Sequence, residues 1–223
     1  MLEIEIFSDV VCPWCFIGKH RLDSVLASGV GEGVHLRWRP YQLYPNIDPG
    51  GVDRGESLRR RFGADADAGR IPERIDQEAT SEGIHLRFDR IKRTPNTLTA
   101  HRLMELAYAH GVQHELAEVL FNGYFCNGRD VGDIEQLVEL AGEVGLSAEA
   151  TREFLHSDEA LDEVQTQLAR APDIGISGVP GYYLANSFLI PGAQSTETMA
   201  QIIARVKSKL AARASQNDQA PDN

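Results

Sequence analysis

Two cysteines stand close together near the start of the chain, in MLEIEIFSDVVCPWCFIGKHRL, as Cys12-Pro13-Trp14-Cys15. Thiols at this spacing can exchange electrons with a disulfide, supply half of a metal site, or pack as two small apolar groups. Redox work needs one of them as a thiolate, the form that attacks sulfur. A helix N-terminus favours that form through its unpaired N–H groups and the positive end of its dipole. In Cys-x-x-Cys motifs thiol pKa values accordingly fall below the free value of about 8.5. A structural metal site needs four ligands, usually two such pairs or a pair with histidines. Only three cysteines occur, at 12, 15 and 126. Even with His20 added a zinc site is incomplete, so no metal is expected. Proline and tryptophan between two cysteines are also an odd choice for packing alone.

The elements around the pair decide what it can do. Residues 2–7, LEIEIF, alternate apolar and acidic side chains with the period of a strand. After the cysteines, Phe16, Leu22, Val25 and Leu26 recur at roughly helical spacing, and Gly29 to Gly33 supply a stop. VHLRWRPYQL then sets Val34, Leu36 and Trp38 against His35, Arg37 and Arg39, a second strand. Strand, helix and strand within about forty residues make a βαβ unit with parallel neighbours. Cys12 therefore falls at a strand-to-helix junction, Pro13 in the first helical turn, and Cys15 one turn on, placed to resolve a mixed disulfide.

Residues 45–55 are rich in turn formers, and the chain then reads as helical throughout from about 56 to 171. Thr94-Pro95 resembles a cap followed by proline at the first helical position. Asp133 with Gln136 resembles a capping box, and Leu161, Val164 and Leu168 mark a later helix. After Pro172 two apolar runs, 182–185 and 188–190, joined by Asn186-Ser187, read as a hairpin. A last helix carries Met199, Ile202, Ile203, Val206 and Leu210. The expected fold class is α/β: residues 1–45 and 173–212 form one discontinuous βαβ…ββα domain. Residues 46–172 are an all-helical insertion, and 213–223 a flexible tail.

Composition narrows the function. Of 223 residues, 42% are hydrophobic and 25% charged, the balance of a soluble globular chain, and the formal net charge is −11. An acidic surface repels phosphate backbones, so no nucleic-acid partner is expected. No apolar stretch approaches the roughly 20 residues that cross a bilayer, so no membrane partner is expected either. The start reads as a strand and not as a signal peptide, which points to the cytoplasm, where thiols stay reduced.

Other residues have two readings each. Asp9, three residues before Cys12, could relay a proton to or from Cys15, as could Glu5. The plainer reading is a solvated strand-end acid and an edge-facing glutamate. Asn96 and His101 open one helix and could line a cleft, though a lone helical histidine more often packs. Cys126 reads as a buried small residue, with an accessory thiol as the alternative. Trp14, Phe16, Tyr41 and Tyr44 are either core or an apolar rim for a polypeptide or an aromatic molecule. Ser195, after Pro191-Gly192-Ala193-Gln194, is either a helix cap or part of a carboxylate site at a helix start.

Several segments together carry a resemblance: FSDVVCPWCFIGKHRL, RWRPYQLYPN, RIKRTPNTLTAHRL, GRDVGD and GVPGYYLANSFLIPGAQ. The chain resembles the DsbA-like branch of the thioredoxin superfamily, and within it the FrnE-type dithiol oxidoreductases. That resemblance implies a thioredoxin fold, Cys12 as nucleophile and Cys15 as resolving thiol. It implies that Pro180 is a cis-proline beside the dithiol and that the Val179 backbone pairs with an extended substrate. Pro13 and Trp14 would then also border the substrate. It implies thiol or disulfide substrates, protein or small molecule, and no tightly bound cofactor. The same branch includes 2-hydroxychromene-2-carboxylate isomerases and kappa-class glutathione transferases, which typically carry serine at the Cys12 position. Glutathione as co-substrate, with an aromatic or polyketide-like metabolite, is thus the alternative function, and a chaperone-like polypeptide binder a second. Monomer and homodimer are both open. Tryptophan in place of the histidine of periplasmic oxidases implies a less oxidising couple.

Overall fold

The computed structural model describes residues 1–217. Strand β1 (Leu2–Ser8) feeds helix α1 (Pro13–Ala27), and β2 (Val34–Pro40) returns parallel to β1. Helix α1 begins with Pro13 because proline presets the helical φ and has no N–H to leave unpaired there. It ends at Ser28, whose backbone N–H and hydroxyl both donate to Val25 O. Gly33, at φ 67°, turns the chain into β2 in a conformation that glycine adopts without strain.

Between β2 and the next long element come β3 (Val52–Asp53), α2 (Arg54–Phe62), α3 (Glu73–Ser81) and β4 (Arg93–Thr94). They are followed by α4 (Leu98–Ala109), α5 (Gln113–Phe125), α6 (Ile134–Gly142), α7 (Ala148–His156) and α8 (Leu161–Asp173). The chain then closes with β5 (Gly181–Leu184), β6 (Phe188–Pro191) and α9 (Thr196–Asn217). The main sheet has the order β2-β1-β5-β6, with β5 antiparallel to β1 and β6 antiparallel to β5. This is the thioredoxin arrangement, βαβ at one end of the chain and ββα at the other. Ala185 and Asn186, at φ 48° and 51°, form the hairpin turn that suits the twist of paired strands, and Ser187 N–H donates to Leu184 O.

Five details depart from the sequence reading. The segment from 56 to 171 is not helical throughout: β4 pairs antiparallel with β3, and a short 3-10 turn spans Phe88–Arg90. Thr94 does not cap a helix. Proline disfavours the helical region for the residue before it, so Thr94 stays extended opposite Val52. Helix α4 starts at Leu98, whose N–H donates to Asn96 Oδ1 at 2.9 Å. Pro172 lies inside α8, in its last turn, where losing one N–H bond does little harm before Gly175 (φ 83°) reverses the chain. Residues 213–217 continue α9, as the alanines at 211, 212 and 214 favour helix, and 218–223 lie outside the described residues. The Asp133 cap is present, accepting from Gln136 N–H, but the Gln136 side chain accepts from Asp130 N–H instead of returning to Asp133.

Strand β1 is the centre of the core. Leu2, Ile4 and Ile6 pack with α1 through Cys15, Phe16 and Ile17, while Phe7 packs on the opposite face with Ala171 and Ile176. Arg37 of β2, expected on a polar face, is buried because α4, α5 and α8 cover that strand. It pairs there with Glu105 and lies over the Tyr108 ring.

Helix α1 is tied to the inserted segment by charge as well as by packing. Lys19 Nζ lies 2.7 Å from Asp23 Oδ2 and 3.0 Å from Glu118 Oε2. His20 meets two acceptors, Glu118 Oε1 at 3.1 Å and Glu82 O at 3.2 Å, which only the imidazolium can satisfy together. Arg21 donates to Glu82, Glu78 and Ala193 O.

Two consequences are measurable. A Cβ on Gly18 would sit 2.4 Å from the Tyr182 hydroxyl and 3.3 Å from Pro180 Cγ. Gly18→Ala should therefore cost about 1–3 kcal/mol of stability in denaturant unfolding, and an unchanged midpoint would refute the close contact. Burial alone would raise the Glu118 carboxyl, but the His20 hydrogen bond and the Lys19 charge outweigh it and hold it at about 2. Its contribution is therefore complete above the unfolded value near 4.5 and fades as pH falls toward about 2. Thermal unfolding of Glu118→Gln should lose less stability than wild type across that window. His20, raised by Glu118, acts in the opposite sense, its share being lost as pH rises through its folded value.

Candidate active site

The chain leaves β1 at Ser8 and crosses the end of the sheet before α1 begins. Asp9 O accepts the Cys12 N–H at 2.9 Å, and Cys12 O accepts the N–H groups of Cys15 (3.0 Å) and Phe16 (3.3 Å). Cys12 is thus the N-cap residue of α1, with extended backbone and a side chain that does not cap the helix. Its Sγ lies instead 3.7 Å from Val179 O. The Val179–Pro180 peptide bond is cis, and Pro180 stands one residue before β5. The site thus joins two segments that are 167 residues apart.

The two thiols, both free, have different surroundings. Cys12 sits at the helix start against a backbone carbonyl. Cys15 lies beneath it in the apolar core, 1% exposed. Burial pushes the Cys15 thiol well above its ordinary value, and Cys12 acts in the same direction. The Ser8 hydroxyl and the Asp9 backbone pull the other way without cancelling it. Cys15 therefore keeps its proton at neutral pH.

Neither acid is where a solvated or edge-facing reading put it. Asp9 is 1% exposed: Oδ2 accepts Leu43 N–H at 2.7 Å, while Oδ1 has no hydrogen bond among the described residues and lies 3.5 Å from His101 Nε2. It is buried because the chain after β2 folds over it. Glu5 is buried because β1 is flanked by β2 and β5, and guanidinium groups from both sides meet it. Arg170 binds it through both oxygens (2.8 and 2.7 Å), and Arg39 through Oε1 (2.5 Å). Burial raises its pKa, but these two cations outweigh the burial and hold it low, so Glu5 is a fixed charge of the sheet.

His101 is buried behind Asp9, its Nε2 on Tyr41 O at 2.9 Å. Asn96 accepts from Gln42 (3.0 Å) and Leu98 N–H and donates to Ile47 O (2.7 Å), so it braces the loop after β2. Trp14 is half-buried with the Arg74 guanidinium 5.3 Å over its ring. Phe16 is core, stacked on Phe121 at 5.3 Å, because α5 covers that face of α1. Of the aromatic cluster, Tyr44 is exposed and Tyr41 half-buried, with Leu43 exposed between them. Cys126 is half-buried at the end of α5, where a helix terminus leaves it partly open. Ser195 accepts Thr198 N–H at 3.2 Å and caps α9. Among the described residues no cluster of three His, Cys, Asp or Glu is placed to hold a metal, and no helix is long and apolar enough to cross a membrane.

Sequence reasoning missed Ser8 and Gly18. A serine at a strand end reads as an ordinary turn former, and a glycine inside a helix gives no sign of the tyrosine that approaches it.

The chain matches the family model of the DSBA-like thioredoxin domain over residues 3–204, and it belongs to that family. It is 25% identical over 209 residues to YwbO of Bacillus subtilis (strain 168), an uncharacterized protein, covering 93% of this chain and 98% of that one. The structure of the probable DsbA oxidoreductase SCO1869 from Streptomyces coelicolor superposes with a TM-score of 0.80 at 28% identity, covering 100% of this chain and 93% of that one. The cytosolic disulfide reductase DsbM from Pseudomonas aeruginosa, solved with GSH, shares the fold (TM-score 0.65, 18% identity, coverage 94% and 99%).

The Asp9–Leu43 bond can be tested by substitution. Asp9→Ala strands a buried N–H and should cost about 1–3 kcal/mol, with faster amide exchange in residues 41–47. Asp9→Asn keeps an oxygen acceptor and should lose less. Equal losses from both would show that the carboxylate's charge, and not this bond, holds the loop.

Proposed function

We propose that this protein is a thiol–disulfide oxidoreductase whose reacting pair is Cys12 and Cys15. The observation that carries the reading is the Cys12 sulfur at the start of α1, 3.7 Å from the carbonyl of the residue before Pro180. A thiolate there meets the positive end of the helix dipole. It attacks a substrate disulfide, forming the Cys12 mixed disulfide and expelling one substrate thiolate. Cys15 then loses its proton and attacks Cys12 Sγ, releasing the second substrate thiolate and leaving an oxidised pair. In reverse the oxidised pair takes two electrons from a substrate dithiol.

Val179 offers its backbone to an extended substrate segment, with Pro180, Pro13 and Trp14 forming the walls. Asp9 is the proposed acceptor of the Cys15 proton, and His101 supports it from behind. Trp14 adds no positive charge beside the pair, unlike histidine, so the couple is less oxidising than that of Pro-His oxidases. The fold shared with DsbM supports a cytoplasmic setting and glutathione as one exchange partner.

Insulin reduction with a thiol donor tests the assignment. Cys12→Ser should abolish turnover, and Cys15→Ser should accumulate a mixed disulfide on Cys12 detectable by mass. Since Cys15 holds its proton, wild-type resolution of that intermediate should accelerate steadily from about pH 7 to 9. Asp9→Asn should slow this step more than the first attack. Turnover that persists in Cys12→Ser would sink the reading. Glutathione conjugation that persists in Cys15→Ser would favour a transferase or isomerase.

A further inference from the structure

Ser8 is 5% exposed, and its hydroxyl has no hydrogen-bond partner among the described residues. Buried polar groups are nearly always paired, so an idle one calls for an explanation. Its position is fixed: Ser8 O accepts Tyr41 N–H at 3.0 Å, and the residue ends the β1 ladder opposite Pro40. Side chains alternate along a strand, so Ser8 shares a face with Ile4 and Ile6. Those two belong to the core that also holds Cys15, Phe16 and Ile17. Ser8 lines a cavity of about 10 Å³ together with Val10, His101 and Met104. The Ser8 hydroxyl also acts on the Cys15 thiol, offsetting part of the effect of burial.

We propose that Ser8 is the hydrogen-bond donor kept for the Cys15 thiolate. A neutral thiol is a weak acceptor, which is why the hydroxyl is idle in the dithiol form. The assignment rests on the function proposed above. When an external thiolate attacks Cys12 Sγ of the oxidised pair, the S–S bond breaks and its electron pair leaves on Cys15 Sγ. The Ser8 O–H turns to that charge inside the apolar core, and a proton follows to give the thiol. The reverse step, attack by the Cys15 thiolate on a Cys12 mixed disulfide, uses the same bond. An interaction present only with charge on Cys15 speeds the step without stabilising the resting thiol.

This leaves a specific signature in rates measured against equilibrium. Oxidised wild type, Ser8→Ala and Ser8→Thr would be mixed with 2-mercaptoethanol and with dithiothreitol, and reduction followed in a rapid-mixing fluorimeter. Ser8→Ala should slow reduction, and resolution of the Cys12 mixed disulfide, by about tenfold. Because Cys15 is a thiol in the reduced protein, the reduction potential near neutral pH should not move. Ser8→Thr, which keeps the hydroxyl, should restore most of the rate, and alkylation of Cys12 should be unaffected. Equal rates in wild type and Ser8→Ala would overturn the assignment, as would a slowing that Ser8→Thr does not repair or that comes with a shifted potential. A wild-type protein inert to both thiols would instead remove the proposed function, and the Ser8 assignment with it.

Discussion

The antiparallel pairing of β1 with β5 is the interaction on which the site depends. Phe7 lies opposite Gly181 and Ile6 opposite Tyr182, and this register brings Pro180 level with the residues that lead to Cys12. Pro180 cannot donate to a ladder, and it stands just outside the strand, where none of the pairing is lost. A one-residue slip would turn every side chain of β5 to the other face and take Tyr182 out of its place against Gly18. Such a slip is opposed on both sides of β1, because the parallel pairing with β2 fixes the same strand independently.

The segment between β2 and β5 holds this arrangement from outside. Helix α1 faces the core with Cys15, Phe16 and Ile17, while Lys19, His20 and Arg21 reach carboxylates and carbonyls of α3, α5 and the chain before α9. Ion pairs this close to the core add little net stability after desolvation, yet losing one partner is costly. His114 completes the set: it accepts from Trp38 Nε1 and donates to Asp23, which fixes its tautomer and joins β2, α5 and α1.

The strands of the main sheet, the hairpin, the α1 start and the last helix were legible in the sequence because each has a local signal. Alternation marks β1, Pro13 marks the first turn of α1, and Ser195 marks the start of α9. What was not legible came from long-range contact. Arg37 looks solvent-facing by alternation, and only the helices over β2 bury it against Glu105. Glu5 and Asp9 look like exposed acids, and each is buried because residues far along the chain reach them: Arg170 in one case, Leu43 in the other. Thr94-Pro95 misled because a cap and a strand end before proline use the same residue types. Asn96, read as a cleft residue, is a loop brace for a similar reason, since its three partners lie at 42, 47 and 98.

The buried polar groups of β1 and of the residue after it are unequally matched. Glu5 is fully matched by two guanidiniums, Asp9 has one oxygen bound and one idle, and the Ser8 hydroxyl is idle altogether. Stability alone would favour pairing every such group or replacing it with an apolar one, since an unpaired buried polar atom is a cost without return. Two of the unpaired buried atoms belong to the residues that link the strand to the thiols. In the exchange proposed above, charge must appear on Cys15 and leave again, and an apolar floor would resist that. A hydroxyl left free in the resting dithiol can donate to the charge when it comes, which a fully bonded floor could do only by breaking bonds already made.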